Sequence, residues 1–255
     1  MHELIDTHAH LDEVADLDGV IRHAMQAGVY AIIAVGQDME SNRRTLQLAT
    51  QYPGFVYPAI GLHPWSLGEM DASRIEENIG FIRDNLPNVT ALGEVGLDYD
   101  KRVLKGAARE LQQEVLRRLL ALAVEQDKPV SFHSRYAWKD AVQTFKEAGL
   151  NKVVFHWYTG FSSTLAEIVE AGCFISATPA AEYHDEHRRA IREAPAGQLL
   201  LETDCPVHYG RDGRYRSQPS DVLRSLRAVA AIKEMSEAEV ASVTTANARN
   251  LFNIC

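Results

Sequence analysis

Apolar runs rich in β-branched residues alternate with longer segments of helical spacing, and this pattern recurs eight times along the chain. The runs are Leu4–Asp6, Ala31–Val35, Val56–Ile60, Thr90–Glu94, Pro129–His133, Val153–His156, Cys173–Ser176 and Leu199–Glu202. Between them, apolar residues fall three and four apart, the period of one helix face. Val20, Ile21, Ala24 and Met25 form one stripe; Ile75, Ile79, Ile82 and Leu86 form a second. Leu111, Val115, Leu119, Leu122 and Ala123 form a third. Gly28, Gly149 and Gly172 stand where helices should end before the next strand. Such alternation predicts a parallel sheet closed into a (β/α)8 TIM barrel. A doubly wound open sheet is the structural alternative.

At 255 residues the chain has the length of one barrel, which takes about 250. No Pro/Gly/Ser-rich linker or composition shift divides it, so residues 1–255 read as a single domain. Its 46% apolar content supports a core that needs no disulfides. The three cysteines, Cys173, Cys205 and Cys255, form no CxxC pair, and Cys173 and Cys205 read as packing residues, Cys255 as inert. The one long loop signal is Val207–Ser220, and Ser236-Glu-Ala-Glu239 reads as a capping box opening a last helix that ends near Phe252. No apolar run approaches the roughly 18 residues of a membrane span, and the first residues lack a signal peptide's apolar stretch. The expected location is cytoplasmic, with no membrane contact. A net charge of −9 counts against gripping nucleic acid by bulk electrostatics, but leaves room for a local cationic site.

Polar residues at the strand ends carry the chemistry. His8 and His10 form an H-x-H pair after the first run, and residues two apart on a strand face the same side. Glu94, His133, His156 and Asp204 end the fourth, fifth, sixth and eighth runs. In a barrel these ends gather at the face where barrel active sites lie. Each residue alone has a plainer reading: a capped loop histidine, a carboxylate paired with an arginine, a helix cap. Four imidazoles and two carboxylates at one mouth point instead to divalent metal. Six such groups exceed the needs of one ion with an open position, and two ions sharing a carboxylate fit better. Mixed imidazole and carboxylate donors accept Zn, Mn, Ni or Fe, and Mg where carboxylate dominates.

With these residues in place, the chain resembles the TatD-type metal-dependent hydrolases of the amidohydrolase superfamily. The matching motifs are Asp6-Thr-His-Ala-His-Leu11, Gly61-Leu-His-Pro-Trp65, Gly93-Glu-Val-Gly-Leu-Asp-Tyr99, Pro129-Val-Ser-Phe-His-Ser-Arg135, Leu200-Leu-Glu-Thr-Asp-Cys-Pro206 and Thr245-Ala-Asn-Ala-Arg-Asn-Leu-Phe252. The resemblance implies that His8, His10 and Asp204 bind one metal, that His133 and His156 bind a second, and that Glu94 bridges them. It implies a 3′→5′ exodeoxyribonuclease, with a metal-bound hydroxide attacking phosphorus and Asp204 orienting the water and taking its proton. The substrate phosphate would sit among the metals, His63 and Arg135. His63 could instead be a structural loop residue, and Arg135 could simply pair with a carboxylate. DNA ends or another phosphodiester are the implied partners, and no obligate protein partner is readable.

Four segments depart from the family pattern. Trp157-Tyr-Thr-Gly160 replaces Cys-Phe-Ser-Gly, Cys205 replaces a common serine, Ser217-Gln-Pro219 replaces Asn-Glu-Pro, and Ser176-Ala-Thr-Pro179 alters the end of strand seven. None removes a ligand-type residue. They keep open a dinuclear-metal hydrolase of a small ester, lactone or amide; a non-catalytic metal-binding barrel is the third reading. Trp65, Trp157, Tyr158 and Tyr183 fall on expected mouth loops, either as base-stacking platforms or as loop packing. Arg211, Arg214 and Arg216 form a basic cluster in the long loop, either contacting a nucleic-acid backbone or simply solvated. His184 and His187 read as surface helix positions.

Overall fold

A computed structural model describes residues 2–211 and 213–254; Cys255 lies outside the described residues. Eight strands pair in sequence order: β1 (Leu4–Ala9), β2 (Val29–Val35), β3 (Val56–Ile60), β4 (Ala91–Gly96), β5 (Val130–His133), β6 (Val153–Phe155), β7 (Phe174–Ala177) and β8 (Leu199–Leu201). Every neighbouring pair is parallel. The connecting helices are α1 (Leu17–Gln26), α2 (Met39–Gln51), α3 (Pro64–Leu67), α4 (Ala72–Asn85), α5 (Lys101–Leu104), α6 (Arg109–Glu125), α7 (Trp138–Glu147), α8 (Ser162–Glu170), α9 (Asp185–Glu193), α10 (Val222–Lys233) and α11 (Glu237–Phe252). Single-domain TIM-barrel architecture follows, and the open doubly wound alternative is excluded because the sheet returns on itself. Closure uses the segment just beyond β8: Asp204 N–H donates to the His8 carbonyl and His10 N–H to the Cys205 carbonyl, both at 2.8 Å, with a parallel bridge between Ala9 and Cys205.

The predicted punctuation is found. Gly28, Gly149 and Gly172 have φ of 92°, 71° and 74°, the left-handed turn that ends a helix at no Cβ cost. Ser236 and Glu239 form the reciprocal capping box at the start of α11. In the helix stripes Val20, Leu111 and Leu122 are half-buried, Met25 is exposed and the rest are buried. The segment 207–220 is not wholly loop: His208–Tyr209 pairs antiparallel with Tyr215–Arg216. Among the described residues no helix is long and apolar enough to cross a membrane.

The core has two layers. Leu4, Ile32, Ala34, Leu92, Val130 and Phe132 pack outward against the helices. Ile5, Ala31, Ile33, Val35, Val154 and Leu200 fill the barrel with Leu251 and Phe252 of α11. Strict alternation from Ile5 would put His8 on the outer face, and from Ala91 would put Glu94 there. Yet Leu4 and Ala9 share the outer layer, as do Leu92 and Val95, although each pair differs in parity. The ladder is irregular between Asp6 and Ala9 and between Leu92 and Val95. Such irregularities re-aim side chains, and here they turn His8 and Glu94 inward.

A buried clasp holds α2 to the end of β3. Asn42 Nδ2 donates to the Gly61 carbonyl at 2.7 Å, and Gly61 N–H donates to Asn42 Oδ1 at 2.9 Å. Both groups are shut from water, and each would cost roughly 1–3 kcal/mol if left unpaired. Asn42→Ala should therefore destabilise the fold by about 2–5 kcal/mol. Urea unfolding measures this, and a loss below about 1 kcal/mol would show that water replaces the clasp.

Candidate metal centre

Strand ends bring His8, His10, Glu94, His133, His156 and Asp204 to one buried point at the barrel mouth. Glu94 lies at its centre. Its Oε2 faces His8 Nε2 at 3.6 Å and His10 Nε2 at 3.5 Å. Its Oε1 faces His133 Nδ1 and His156 Nε2, both at 2.7 Å. Asp204 Oδ1 completes the first group, 3.6 Å from His8 Nε2 and 3.3 Å from His10 Nε2. His133 Nδ1 and His156 Nε2 are 3.2 Å apart in the second.

The outer nitrogens of His10 and His133 face acceptors, which place a proton there, whereas that of His8 meets a hydroxyl and that of His156 faces a carboxylate beyond hydrogen-bond range. His10 Nδ1 meets the Val35 carbonyl at 3.1 Å. His8 Nδ1 meets Ser131 Oγ at 3.1 Å. His133 Nε2 meets Asp98 Oδ2 at 3.1 Å. His156 Nδ1 faces Glu202 Oε1 at 3.6 Å. The inner nitrogens converge on one another and on carboxylates; His8 Nε2 and His10 Nε2 stand only 3.3 Å apart. Carboxylates and imidazole nitrogens converging out of water need positive charge between them, supplied by protons or by a cation. The donor set fits divalent cations. Ligand-type atoms of His8, His10 and Asp204 lie within 4.8 Å of one another, as do those of His63, Glu94 and His133, and of His8, His156 and Glu202.

His63 differs from the others. Its Nε2 lies 3.4 Å from Glu94 Oε1, but its Nδ1 accepts the Trp65 N–H at 3.1 Å. The neutral ring therefore carries its proton on Nε2 and points a donor, not a lone pair, at the centre. Burial pushes its pKa down to about 4, which keeps it neutral. The other histidines feel the carboxylates more. Burial alone would lower His10, but Asp204 and Glu94 outweigh it and hold it up at about 9. His133 is raised in the same way by Asp98 and Glu94, and His156 well above its ordinary value by Glu94 and Glu202. Burial opposes ionisation of Glu94 and Asp204, yet the surrounding imidazoles hold both carboxyls below their ordinary range.

Arg135 takes its plainer role: Nε lies 3.2 Å from Asp98 Oδ2 and a terminal nitrogen 2.9 Å from Asp100 Oδ2. It still lines the mouth cavity of about 810 Å³ with His63, Trp65 and Trp157. Several expectations are corrected. Glu94 does not end its strand, which runs on to Gly96, and Asp204 lies three residues past β8 with φ of 49°. Tyr158 is not on the mouth: it is buried in the core and donates to the Phe161 carbonyl at 3.1 Å. His187 is not on the surface: it is buried, between the Thr178 N–H at 3.1 Å and the Tyr158 carbonyl at 3.0 Å. Arg211 and Arg216 are occupied with the carbonyls of Tyr183 and Glu13. Cys205, by contrast, is the packing residue expected: it is buried, and burial pushes its thiol well up, so it supplies no thiolate.

Sequence reasoning missed four residues that orient the histidines or the Asp204 segment. Asp98 accepts from His133, from Trp65 Nε1 at 2.7 Å and from Asp100 N–H at 2.8 Å. Asp6 accepts Thr203 N–H at 2.9 Å and Thr203 Oγ at 2.5 Å, fixing the residue before Asp204. Glu202 accepts Trp157 N–H at 2.9 Å and faces His156. Ser131 meets His8. The available signal was a charged or hydroxyl residue inside an apolar strand motif.

Comparison with known proteins agrees with this geometry. The model of the TatD related DNase family matches residues 5–253. The chain is 35% identical to the metal-dependent hydrolase YabD of Bacillus subtilis (strain 168), over 98% of this chain and 99% of that protein. It is 33% identical to the 3′-5′ ssDNA/RNA exonuclease TatD of Erwinia tasmaniensis, over 94% of each. The crystal structure of YJJV, a TatD homologue from Escherichia coli K12, superposes with a TM-score of 0.89 at 30% identity, covering 99% of this chain and 98% of that one. An eight-stranded parallel barrel with a histidine–carboxylate cluster at its mouth, matched along nearly its whole length, belongs to the TatD-related DNase family of metal-dependent hydrolases.

Proposed function

We propose that this chain is a phosphodiesterase that removes nucleotides from the 3′ end of single-stranded DNA, with two divalent ions at the barrel mouth. The observation that supports this most is the division of Glu94: one oxygen faces His8 and His10, the other His133 and His156. In this reading His8, His10 and Asp204 hold one ion, His133 and His156 the second, and Glu94 bridges them; Zn, Mn, Mg or Ni all suit such donors. The Erwinia relative, named for single-stranded DNA and RNA, supports the substrate class. When bound, the two ions supply positive charge to the phosphoryl oxygens and make water acidic enough to ionise near neutral pH. Asp204, held ionised by its imidazole neighbours, orients the attacking water and accepts its proton. His63 donates through Nε2 toward the phosphoryl oxygens. Arg135 adds charge at the mouth, steadied by Asp98 and Asp100 so that its planar fork is pre-ordered.

The direct test is degradation of 5′-labelled single-stranded DNA with added Mg or Mn. Wild type should give a ladder shortening from the 3′ end, and Glu94→Ala should lose roughly 10²–10³-fold or more in rate. No degradation with any divalent metal would overturn the nuclease reading and favour a small ester, lactone or amide substrate.

Metal loading gives a second test. His10 keeps its proton up to about pH 9 in the metal-free centre, so an ion must expel it. Affinity should fall as pH drops below that value, by about tenfold per unit for each proton displaced. Calorimetry in buffers of different ionisation enthalpy reads the proton count, and release of none would refute the role of His10. Metal content of dialysed protein should be two equivalents, falling in Glu94→Ala.

A further inference from the structure

Large aromatic residues collect on one side of the mouth and remain open to solvent. Trp65 is 47% exposed, Tyr136 59% and Phe161 51%. They belong to one run of rings. Tyr136 meets Trp138 edge-on at 5.9 Å between centroids, and Trp138 meets Phe161 edge-on at 5.1 Å. The Arg135 guanidinium joins this run to Trp65, lying 5.3 Å from the Trp65 ring and 5.8 Å from that of Tyr136. The Arg102 guanidinium also lies 5.6 Å from the Trp65 ring. The run begins at the centre itself, since Trp65 N–H bonds His63 and its indole bonds Asp98. Exposed rings of this size cost hydration and need a reason.

Two further features give the rim its chemistry. Tyr136 has φ of 58°, a left-handed position that a bulky residue rarely takes. It directs the ring outward beside Arg135 instead of into the core. Beyond Trp65, α5, the turn after it and the first residue of α6 expose Lys101, Arg102, Lys105 and Arg109, four cations within nine residues of a chain whose net charge is −9. Lys101, Lys105 and Arg109 make no ion pair among the described residues. Flat apolar faces beside local positive charge complement unpaired bases on a phosphate backbone. A duplex offers no base faces to such rings, and a protein partner would not call for the cations.

We propose that Trp65, Tyr136, Trp138 and Phe161, with the cations of α5 and its following turn, form a track for the unpaired strand leading from the metal centre. This rests on the phosphodiesterase reading above and adds where the strand lies and why its bases must be unpaired. The track holds bases by stacking, so it reads length and strandedness more than sequence.

Two measurements separate the track from the chemistry. The first compares turnover of a dodecathymidylate with that of the p-nitrophenyl ester of thymidine 5′-phosphate, which reaches only the centre. In Tyr136→Ala/Phe161→Ala the KM for the dodecamer should rise at least tenfold more than that for the ester. The charge-reversal pair Lys101→Glu/Lys105→Glu, which removes no ring, should shift the same ratio in the same direction and weaken its salt dependence. The second is anisotropy of labelled dodecathymidylate, free or annealed to dodecadeoxyadenylate, titrated with intact protein. Wild type should bind the single strand at least tenfold more tightly than the duplex, and both variants should lose that margin. Turnover with an unmoved KM ratio would sink the track and leave the phosphodiesterase reading standing. Preferential single-strand binding that the variants lose, without turnover of either substrate, would do the reverse. Equal binding of duplex and single strand, or no binding, would overturn the track outright.

Discussion

The rest of the structure depends on one buried carboxylate shared among imidazoles from separate strands. Glu94 is 3% exposed, and burial alone would drive it neutral. It stays ionised because His63, His133 and His156 surround it, and those rings are held in place by the barrel. The reverse is also true: His133 and His156 hold protons above their usual range in the metal-free centre because Glu94 is beside them. Neither half is stable alone in a low-dielectric setting. Divalent cations between the carboxylate and the imidazoles would resolve the conflict without protons.

Such a cluster demands rigid support, and the outer nitrogens show where it comes from. A backbone carbonyl of β2, a hydroxyl of β5 and Asp98 beyond β4 each fix one ring, and Glu202 beyond β8 faces a fourth at 3.6 Å. The support thus comes from different strands than the rings it orients, so the cluster records the closure of the whole barrel. The clasp of Asp6 on Thr203 does the same for Asp204, tying the first strand to the segment after the last. His63 stands apart because its support is a donor, Trp65 N–H, which reverses its tautomer and gives it a different task.

The barrel and its ligand-type residues were legible because each is written locally. Strand runs, helix stripes and strand-end histidines are patterns within a few residues. The orienting residues were not legible, because Asp98, Glu202 and Ser131 gain their meaning only from rings far off in the chain. His187 and Tyr158 were misread for a related reason. A polar side chain on a helix or after a strand looks solvent-facing, yet His187 finds Thr178 and Tyr158 as buried partners. Even the H-x-H argument reached its result by a different route. Period-two alternation would have pointed His8 outward; the irregularity between Asp6 and Ala9 turns it in. The pairing of His8 with His10 is therefore a property of the bend in β1, not of an ideal strand.

Backbone strain is distributed in the same way. Six described residues other than glycine have positive φ. Asp127, Glu234 and Asn253 follow helix ends, where the left-handed turn is an ordinary stop. Tyr136, Trp157 and Asp204 instead sit just beyond β5, β6 and β8, at or next to Arg135, His156 and the mouth. Glycine would take these turns with less strain, which for larger residues is on the order of 1–3 kcal/mol each. The side chains explain the choice. Asp204 supplies a carboxylate to His8 and His10, Trp157 packs its ring 5.4 Å from that of Tyr209, and Tyr136 carries the aromatic rim. The barrel tolerates strain where a strand must stop abruptly and still present a specific side chain to the mouth. It uses glycine at the helix ends Gly28, Gly149 and Gly172, where no side chain is needed.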